Sequence, residues 1–370
     1  MNVLLTDATD IFAGGEEYVL ILARHLARRG HAVWVSTRPG HLLLRKCAEC
    51  SLPVVPLPYG DMARVFGVSR LLRRAMLERS IAVVHSNANY DRTCAGIATA
   101  FTPARHVAGV HSTHSIRRNI THALRNRYGT AHFITDAEAG RDVLLRRDHI
   151  APGRVTTVPI GIDADPAEAR AAWRAATRRA LGIDDDTFVV GNVARLVPFK
   201  GHRFLLEAAA IVARGRPDVL FLIAGDGELE AELKERASAL GIAGQVRFLG
   251  FRDDLQQLYP AFDVYCHSSI DLASEMFPIA ILRALATGLP VVASNVGGIA
   301  AMVEEGVSGH LTPPEDPAPL ARALLAAIGD RETLPAMGRA SAALFERRYR
   351  ADRMAADVER IYANVTGGVQ

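Results

Sequence analysis

A carboxylate directly precedes a helical pattern in the second half of the chain. Glu275 is followed by Pro278, which the start of a helix tolerates, and the pattern ends at Gly288, a typical left-handed cap. The backbone N–H groups near Phe277 and Ile279 then lie beside this carboxylate, where they could hold a phosphate or a hydroxyl-rich ligand. The alternative is an ordinary connection between a helix and a strand.

Two cations share one loop between a predicted strand and a predicted helix. These are Arg195 and Lys200, and lysine is rare in this chain, with 3 lysines among 43 basic residues. A planar guanidinium and a compact ammonium together suit a pyrophosphate leaving group, because each neutralises the developing charge in a different geometry. The alternative is a solvated surface pair.

Glycines open two further loops that follow predicted strands. Gly14 and Gly15 precede Glu16 at the start of the first helix, and Gly225 and Gly227 lead into a later helix. Backbone without a side chain can approach a phosphate, a ribose or an acceptor closely. Because ligands of parallel sheets bind beyond the carboxyl ends of the strands, both loops are candidate binding sites. A tight turn without a ligand is the alternative.

One of the 13 histidines stands at the end of a predicted strand. His111 closes the apolar run Val107–Val110, so it should lie at the same sheet edge as the other candidates. We therefore predict a functional role for it. A histidine whose hydrogen bonds are satisfied inside the sheet edge is the alternative.

The cysteines and the paired aspartates do not predict a metal site. Cys47 and Cys50 have C-x-x-C spacing without a second pair, and four cysteines are too scattered for a disulfide framework. Asp163 and Asp165 follow Gly161 and Ile162, and a turn is a simpler interpretation of this pattern than a metal site. We expect no metal and no cofactor, because the two cations of the loop described above take the charge-neutralising role of a metal.

The length of 370 residues predicts two domains, since one hydrophobic core seldom supports so long a chain. In both halves short apolar strands alternate with amphipathic helices, which predicts parallel sheets built from βαβ units. The predicted strands are Val3–Thr6, Ala32–Thr37, Ala82–His85, His106–Val110, His132–Thr135, Val155–Val158, Phe188–Ala194, Val219–Ala224, Val246–Leu249 and Val291–Ala293. We place the domains at 1–160 and 161–350.

The two predicted domains differ in charge. Residues 1–160 hold 21 Lys+Arg against 12 Asp+Glu, a net +9, which leaves 22 against 28, a net −6, for residues 161–370. Much of the positive charge lies on the helical segments 70–74 and 117–127, which could face an anionic acceptor or membrane. A solvated helix face is the alternative, and no nucleic-acid motif is present.

No apolar run reaches the length that a bilayer requires, and the first ten residues lack the pattern of a secretory leader. We therefore expect a cytoplasmic protein, with peripheral contact at the inner face of the membrane through its basic half.

Taken together, these motifs resemble the retaining GT-B glycosyltransferases of family 4 across nearly the whole chain. The resemblance is carried by Gly14-Gly15-Glu16, His111, the linker 158–163, Arg195 with Lys200, Gly225 with Gly227, the run 248–250, Glu275 with Phe277 and Pro278, Gly297-Gly298, and Gly309 with Leu311.

The resemblance implies two Rossmann-like domains facing an interdomain cleft, with the acceptor on the first and a nucleotide-sugar donor on the second. It also implies that a final helix over 351–366 packs back on the first domain. The implied catalytic residues are His111, Arg195, Lys200 and Glu275. The implied donor-binding residues are Gly15, Gly225, Gly227, Leu249, Phe277, Pro278, Ile279 and Arg283, and the implied acceptor-binding residues are Gly14, Glu16 and His111.

Two positions depart from the family pattern. Arg283 stands eight residues after Glu275, where the family has a second glutamate that accepts hydrogen bonds from ribose, and arginine can only donate. About 12 Å of helix separate these two positions, so Arg283 should reach the nucleotide rather than the sugar. Ala301 replaces a glutamate that many relatives carry after the Gly-Gly loop.

The expected function is retaining transfer of a hexose from a nucleotide-diphosphate sugar to a saccharide or glycolipid. Cell-envelope polysaccharide or lipopolysaccharide assembly is the expected setting. A GT-B nucleotide-sugar epimerase is one alternative. A catalytically silent nucleotide-sugar-binding subunit is the other, favoured by Arg283 and Ala301 but opposed by the intact Arg195, Lys200 and Glu275.

Overall fold

The computed structural model describes residues 1–10, 14–117, 119–270, 275–329 and 332–367. The chain divides into two compact units, one comprising Met1–Gly161 with Arg350–Gln370 and the other Ile162–Tyr349. Each unit is built on one six-stranded sheet whose paired strands all run parallel. The prediction of two α/β units with parallel sheets is confirmed.

The first sheet has the strand order β2-β1-β3-β4-β5-β6. Its strands are β1 (Asn2–Thr6), β2 (Ala32–Ser36), β3 (Val83–Ser86), β4 (Arg105–Val110), β5 (His132–Thr135) and β6 (Val155–Thr157). All six coincide with predicted strands to within one residue at each end. Their continuous apolar runs are buried on both faces, as expected for a parallel sheet covered by helices.

Helices cover both faces of the first sheet. They are α1 (Gly14–Arg28), α2 (Leu42–Glu49), α3 (Val65–Glu78), α4 (Asn89–Thr99), α5 (Ile120–Tyr128) and α6 (Glu138–Arg146). Right-handed crossovers place α3, α4, α5 and α6 on one face and α1 on the other. The helix predicted within 117–127 begins only at Ile120, because the side chain of Asn119 caps it by accepting from the backbone N–H of His122.

The C-terminal helix α14 (Ala351–Thr366) belongs to the first unit, where it packs against α1. The hydroxyl of Tyr362 lies 2.6 Å from Nδ1 of His85, which sits in strand β3. Glu359 accepts a 2.8 Å hydrogen bond from Nε of Arg29 at the end of α1. The last helix therefore returns to the face of the sheet that α1 covers.

The second sheet has the strand order β12-β11-β10-β7-β8-β9. Its strands are β7 (Phe188–Val193), β8 (Val219–Ala224), β9 (Val246–Gly250), β10 (Val264–His267), β11 (Val291–Ser294) and β12 (Gly309–Thr312). Its helices are α7 (Arg170–Ala180), α8 (His202–Gly215), α9 (Glu230–Ala239), α10 (Leu255–Leu258), α11 (Ile279–Thr287), α12 (Pro317–Gly329) and α13 (Leu334–Arg348). One core cluster joins strands β7 and β8 to helices α8 and α12.

The sequence predictions missed strands β10 and β12, which have four residues each and weak apolar patterns. Pro278 lies just before α11 in extended backbone, so the helix begins one residue later than its proline suggested. Gly288 adopts the predicted left-handed cap, with φ of +81°. Within the described ranges, every helix is too short or too polar to cross a bilayer.

Candidate active site

Strand order brings two loops of the second unit together at the carboxyl edge of its sheet. Strands β7 and β10 are neighbours, so the loop that carries Arg195 and Lys200 lies beside the segment that follows His267. Backbone contacts connect the two, since the amide of Ile270 donates to the carbonyl of Phe199 over 2.9 Å and the hydroxyl of Ser268 donates to the carbonyl of Lys200 over 3.0 Å.

Glu275 is buried at this edge, and its Oε2 atom collects several contacts. Lys200 Nζ forms an ion pair with it, and both side chains are largely covered, at 14% and 9% exposure. The hydroxyl of Ser269 donates to the same oxygen over 2.7 Å, and Nε2 of His267 lies 3.4 Å away. The structure thus brings together Lys200 and Glu275, two of the predicted catalytic residues.

Electrostatics keep Glu275 ionised. Burial alone would raise its pKa, but the ammonium of Lys200 and the hydrogen bond from His267 outweigh burial and hold the pKa below its usual range. Burial lowers the pKa of His267, so this imidazole is neutral at pH 7. Because a carboxylate only accepts, the contact with Glu275 requires the proton on Nε2 of His267, and this nitrogen also lies 3.0 Å from the Ser269 hydroxyl.

Sequence reasoning did not identify His267 or Ser269. His267 ends β10, a strand that was itself missed, and Ser269 follows two residues later. A polar residue after an apolar strand was the available signal. Ser274, which precedes the predicted site carboxylate, lies outside the described residues.

The two predicted diphosphate-binding cations both lie close to one aromatic ring, that of Phe199. The guanidinium carbon of Arg195 lies 5.8 Å from the centre of the Phe199 ring, and Nζ of Lys200 lies 5.2 Å from it. The Arg195 side chain is exposed, whereas that of Lys200 is mostly covered. Gly201 follows with φ of +66°, and a Cβ there would lie 2.1 Å from the carbonyl oxygen of Ser268. The loop therefore has little conformational freedom.

Close backbone contacts are enough to explain why positions 225 and 227 are glycine. Their φ values are +140° and +153°, and a Cβ atom would lie 2.0 Å from the carbonyl oxygen of Ala194 or 2.5 Å from that of Leu196. Side chains are therefore excluded by the backbone that carries Arg195, without any ligand. The neighbouring Leu249 lies where β9 shifts register against β8, with Gly225 donating to the Gly250 carbonyl over 2.8 Å.

The predicted donor-binding residues at the start of α11 have buried side chains. Phe277 packs edge-on against Tyr349 with ring centres 5.5 Å apart, and Pro278 and Ile279 are also buried. Packing of these buried side chains therefore fixes the position of the N-terminal end of α11. Only their backbone remains a candidate for ligand contact.

Arg283 is half-buried on α11. Its positive charge affects the pKa of Asp165, which follows the linker between the two sheets. Burial raises the pKa of Asp165, and the positive charge of Arg283 opposes that rise.

The described residues contain no group of three or more His, Cys, Asp or Glu side chains that could hold a metal ion.

The first unit has its own cluster at the carboxyl edge of β4 and β5. Nδ1 of His111 lies 2.8 Å from Oδ2 of Asp136, which directly follows β5 and is buried. Burial lowers the pKa of His111, but the Asp136 carboxylate outweighs it and raises the pKa above its usual value. The ring of Tyr18 covers the imidazole with a centroid distance of 4.7 Å. Sequence reasoning missed Asp136, although it too ends a strand.

A cavity of about 200 Å³ opens beside this histidine. It is lined by Asn87, Ala88, Asn89, Arg92, His111, Ser112, His114, Ser115 and Ile116. Nε2 of His111 is buried and has no hydrogen-bond partner among the described residues. Seven of the nine lining residues are polar, which suits a hydroxyl-rich or charged molecule.

The predicted glycine loop of the first unit adjoins this cavity. Asn87, one of the lining residues, donates to the carbonyl of Gly15 over 3.2 Å and to Oδ2 of Asp7 over 2.5 Å. Glu16 is buried and accepts from the hydroxyl of Thr9. Gly14 begins α1 and is exposed.

Two family models match the chain. Residues 174–343 match the family described as glycosyl transferases group 1, and residues 12–166 match the one described as glycosyltransferase family 4. The two matches together include most of both structural units.

Curated relatives match over part of their length. D-inositol 3-phosphate glycosyltransferase of Corynebacterium urealyticum is 38% identical over 216 residues, covering 55% of this chain and 48% of the relative. UDP-Gal:alpha-D-GlcNAc-diphosphoundecaprenol alpha-1,3-galactosyltransferase of Escherichia coli is 29% identical over 174 residues, covering 46% of this chain and 44% of the relative. The chain spans about half the length of these curated relatives.

A solved structure is similar over nearly the whole chain. The crystal structure of Anabaena HepE in complex with UDP has a TM-score of 0.85 and 22% sequence identity, covering 98% of this chain and 100% of the other. At this identity the likeness establishes a shared fold.

The buried ion pair generates a prediction about stability. Lys200→Met keeps most of the side-chain volume but leaves the Glu275 carboxylate buried without its cation, so the free energy of unfolding at pH 7 should fall by about 3 kcal/mol. Because the folded-state pKa of Glu275 is depressed, the pair stabilises the protein above the unfolded-state pKa of about 4.3. That stabilisation is lost as the pH falls further. The difference between variant and parent should therefore narrow in acid.

Urea titration at several pH values measures this difference. Lys234→Met is a matched control, because Lys234 forms an exposed pair with Glu230 and should contribute less than about 0.5 kcal/mol. The double variant Lys200→Met/Glu275→Gln should recover part of the loss. Equal effects of the two single lysine variants would contradict a buried, coupled pair.

Proposed function

The chain belongs to the group 1 glycosyltransferases of family 4 and has the GT-B fold, and from this premise we propose which reaction it performs. The proposed reaction is transfer of a hexose from a nucleotide-diphosphate sugar to a cell-envelope saccharide or glycolipid, with retention of anomeric configuration. The observation that carries the proposal is the convergence of Lys200, Glu275 and the Arg195 loop at one sheet edge.

In this proposal the second unit binds the donor. Arg195 is exposed next to the mostly covered Lys200, so the two can neutralise the leaving diphosphate from different directions. The ammonium of Lys200 has three N–H donors, of which the ion pair with Glu275 occupies one. Glu275, held ionised, can accept a hydrogen bond from a hydroxyl of the donor sugar. The remaining donor contacts of this unit are assigned to Gly225, Gly227, Leu249 and Arg283 and to the backbone of Phe277, Pro278 and Ile279.

No protein nucleophile is required for the proposed retaining step. The acceptor hydroxyl attacks the anomeric carbon from the face that the diphosphate leaves, and a leaving phosphate oxygen takes the proton. Arg195 and Lys200 stabilise the diphosphate, which carries the negative charge. We assign no metal or cofactor to the reaction, since these cations supply the charge that a metal would otherwise provide.

The acceptor is assigned to the first unit. The polar cavity beside His111 has room for a small saccharide head group, and the Gly14–Glu16 segment adjoins it through Asn87. The name of the Escherichia coli relative describes a diphosphoundecaprenol-linked acceptor, and that of the Corynebacterium relative describes an inositol phosphate. Both acceptors are anionic, which suits the net +9 of residues 1–160.

A panel of nucleotide sugars tests the function directly. We expect release of a nucleotide diphosphate from one donor, accelerated by acceptor extracts and unchanged by a chelator. Interconversion of the donor sugar without release would instead indicate an epimerase. Binding without either reaction would indicate a silent subunit, and loss of turnover in chelator restored by magnesium or manganese would contradict metal independence.

Arg195 should matter for turnover more than for binding. Arg195→Ala removes one preorganised donor from the developing anion, so kcat should fall by about 10²-fold. Arg203→Ala is the matched control, because Arg203 is also exposed and stacks on a phenylalanine ring, at 4.3 Å, but lies on helix α8. Near-normal kcat in Arg195→Ala at saturating donor would place the diphosphate site elsewhere.

Arg283 is proposed to donate to the ribose or a phosphate of the donor. Arg283→Ala should raise the dissociation constant of the matching nucleotide diphosphate about tenfold, or about 1.4 kcal/mol. Asp165→Asn removes the acid on which Arg283 acts but keeps the guanidinium, so its affinity should equal or exceed that of the parent. Calorimetric titration measures all three proteins. Unchanged affinity in Arg283→Ala would leave this residue with a structural role only.

A further inference from the structure

A buried arginine of the first unit lacks an ion-pair partner among the described residues. Arg92, on helix α4, is 3% exposed, as deeply buried as Arg178 of the second unit. Arg178 forms an ion pair with Asp263 over 2.7 Å and donates to the carbonyl of Ala261 over 3.0 Å. Arg92 instead donates from Nη2 to the carbonyl of Gly109 over 2.8 Å, and its Nε atom is buried without a hydrogen-bond partner. Of these two buried cations, one is compensated and the other is not.

The two carboxylates whose charge acts on Arg92 are occupied by other donors. Asp91 accepts from two backbone amides at the start of α4 over 2.9 and 3.0 Å, and from the Thr6 hydroxyl over 2.7 Å. Asp148 accepts from two backbone amides of the segment that leads into α5, over 3.0 and 3.1 Å. Neither forms an ion pair with Arg92 within the described ranges. Burial lowers the pKa of Arg92 to about 10, so the guanidinium is still charged at pH 7.

The position of Arg92 in the fold makes this charge unfavourable. It lies in the first turn of α4, where the positive end of the helix dipole disfavours a cation. A second cation is close, because burial and then the charge of Arg92 lower the pKa of Arg125 to about 9. A buried charge without a partner destabilises the folded state. We therefore expect Arg92 to serve a purpose other than folding.

The guanidinium of Arg92 borders the cavity beside His111. None of the nine lining residues is acidic, and Arg92 is the arginine among them. Its Nη1 atom is neither hydrogen-bonded to a described residue nor sealed from solvent, so Nη1 is the atom that faces the cavity. The N-terminal end of α4 lines the cavity as well, and its N-cap residue Ala88 supplies no side-chain hydrogen bond. Two sources of positive potential therefore act on one polar space.

We propose that this cavity binds a phosphate monoester of the acceptor and that Arg92 selects phosphorylated over unphosphorylated acceptors. Nη1 donates a charge-assisted hydrogen bond to a phosphate oxygen, and the N-terminal end of α4 adds positive potential to the same group. The phosphate then supplies the counter-charge that Arg92 lacks among the described residues. A phosphate monoester is largely dianionic at pH 7, so it matches two sources of positive potential better than a carboxylate does. That the phosphate belongs to the acceptor rests on the function proposed above, whereas the anion site itself does not.

Unfolding in urea tests whether Arg92 is a charge without a partner. In phosphate-free buffer, Arg92→Met removes a buried charge that no described carboxylate pairs with, so the urea midpoint should equal or exceed that of the parent. Arg178→Met is the matched control, because Arg178 is equally buried and its replacement leaves Asp263 without this partner, so the midpoint should fall. An equal fall in both variants, or failure of Arg92→Met to fold, would give Arg92 a structural role and overturn the proposal.

Thermal unfolding with inorganic phosphate tests the ligand. Phosphate should raise the Tm of the parent with a concentration dependence that gives an apparent Kd, and no response in the parent would overturn the proposal. Arg92→Met should raise this Kd by about tenfold or more, and Arg92→Lys, which keeps the charge, should raise it less. Arg195→Ala controls for the candidate donor site of the second unit and should keep the response. Its loss in Arg195→Ala, with an unchanged response in Arg92→Met, would assign the phosphate effect to the donor site instead.

Matched small molecules identify the chemistry of the ligand. Glycerol 3-phosphate should raise the Tm as inorganic phosphate does, whereas glycerol and acetate at the same concentration should not. An acetate effect equal to that of phosphate would overturn the selection for phosphate. A response to farnesyl diphosphate that requires Arg92, without one to glycerol 3-phosphate, would overturn the monoester in favour of a lipid diphosphate. Absence of glycosyl transfer in every protein, with phosphate binding that still requires Arg92, would count against the proposed function alone.

Discussion

The buried ion pair of Lys200 and Glu275 is the interaction on which the candidate donor site depends. Taking either charge out of water alone would cost several kcal/mol, so each residue requires the other. Ser269 and His267 add hydrogen bonds to the same carboxylate oxygen. The result is an anion that stays ionised at the sheet edge and a cation held in place, whose ammonium has Glu275 as its hydrogen-bond partner among the described residues.

Backbone packing then holds the loops that carry these charges. Gly201, Gly225 and Gly227 leave no room for a Cβ, because carbonyl oxygens of neighbouring loops lie 2.0 to 2.5 Å from where it would be. Such close contact between loops restricts their motion before any ligand arrives. Preorganisation of this kind is what electrostatic stabilisation of a leaving group requires.

The first unit combines a different set of properties. His111 is held by Asp136 and is one of the residues that line the cavity. The same unit carries the positive charge and most of the exposed apolar surface, whereas the second unit is acidic overall. The acceptor binding proposed above would therefore use one unit, and the proposed donor chemistry would use the other.

The sequence alone determined the ten predicted strands, the left-handed cap at Gly288 and the position of Arg195 and Lys200 after a strand. Apolar runs and glycine caps are local signals, so they can be read without knowledge of neighbours. His267, Ser269 and Asp136 were not found, because their roles depend on which strands are adjacent. Only the tertiary structure placed β10 beside β7 and β5 beside β4, and that adjacency decided which side chains share a charge or a hydrogen bond.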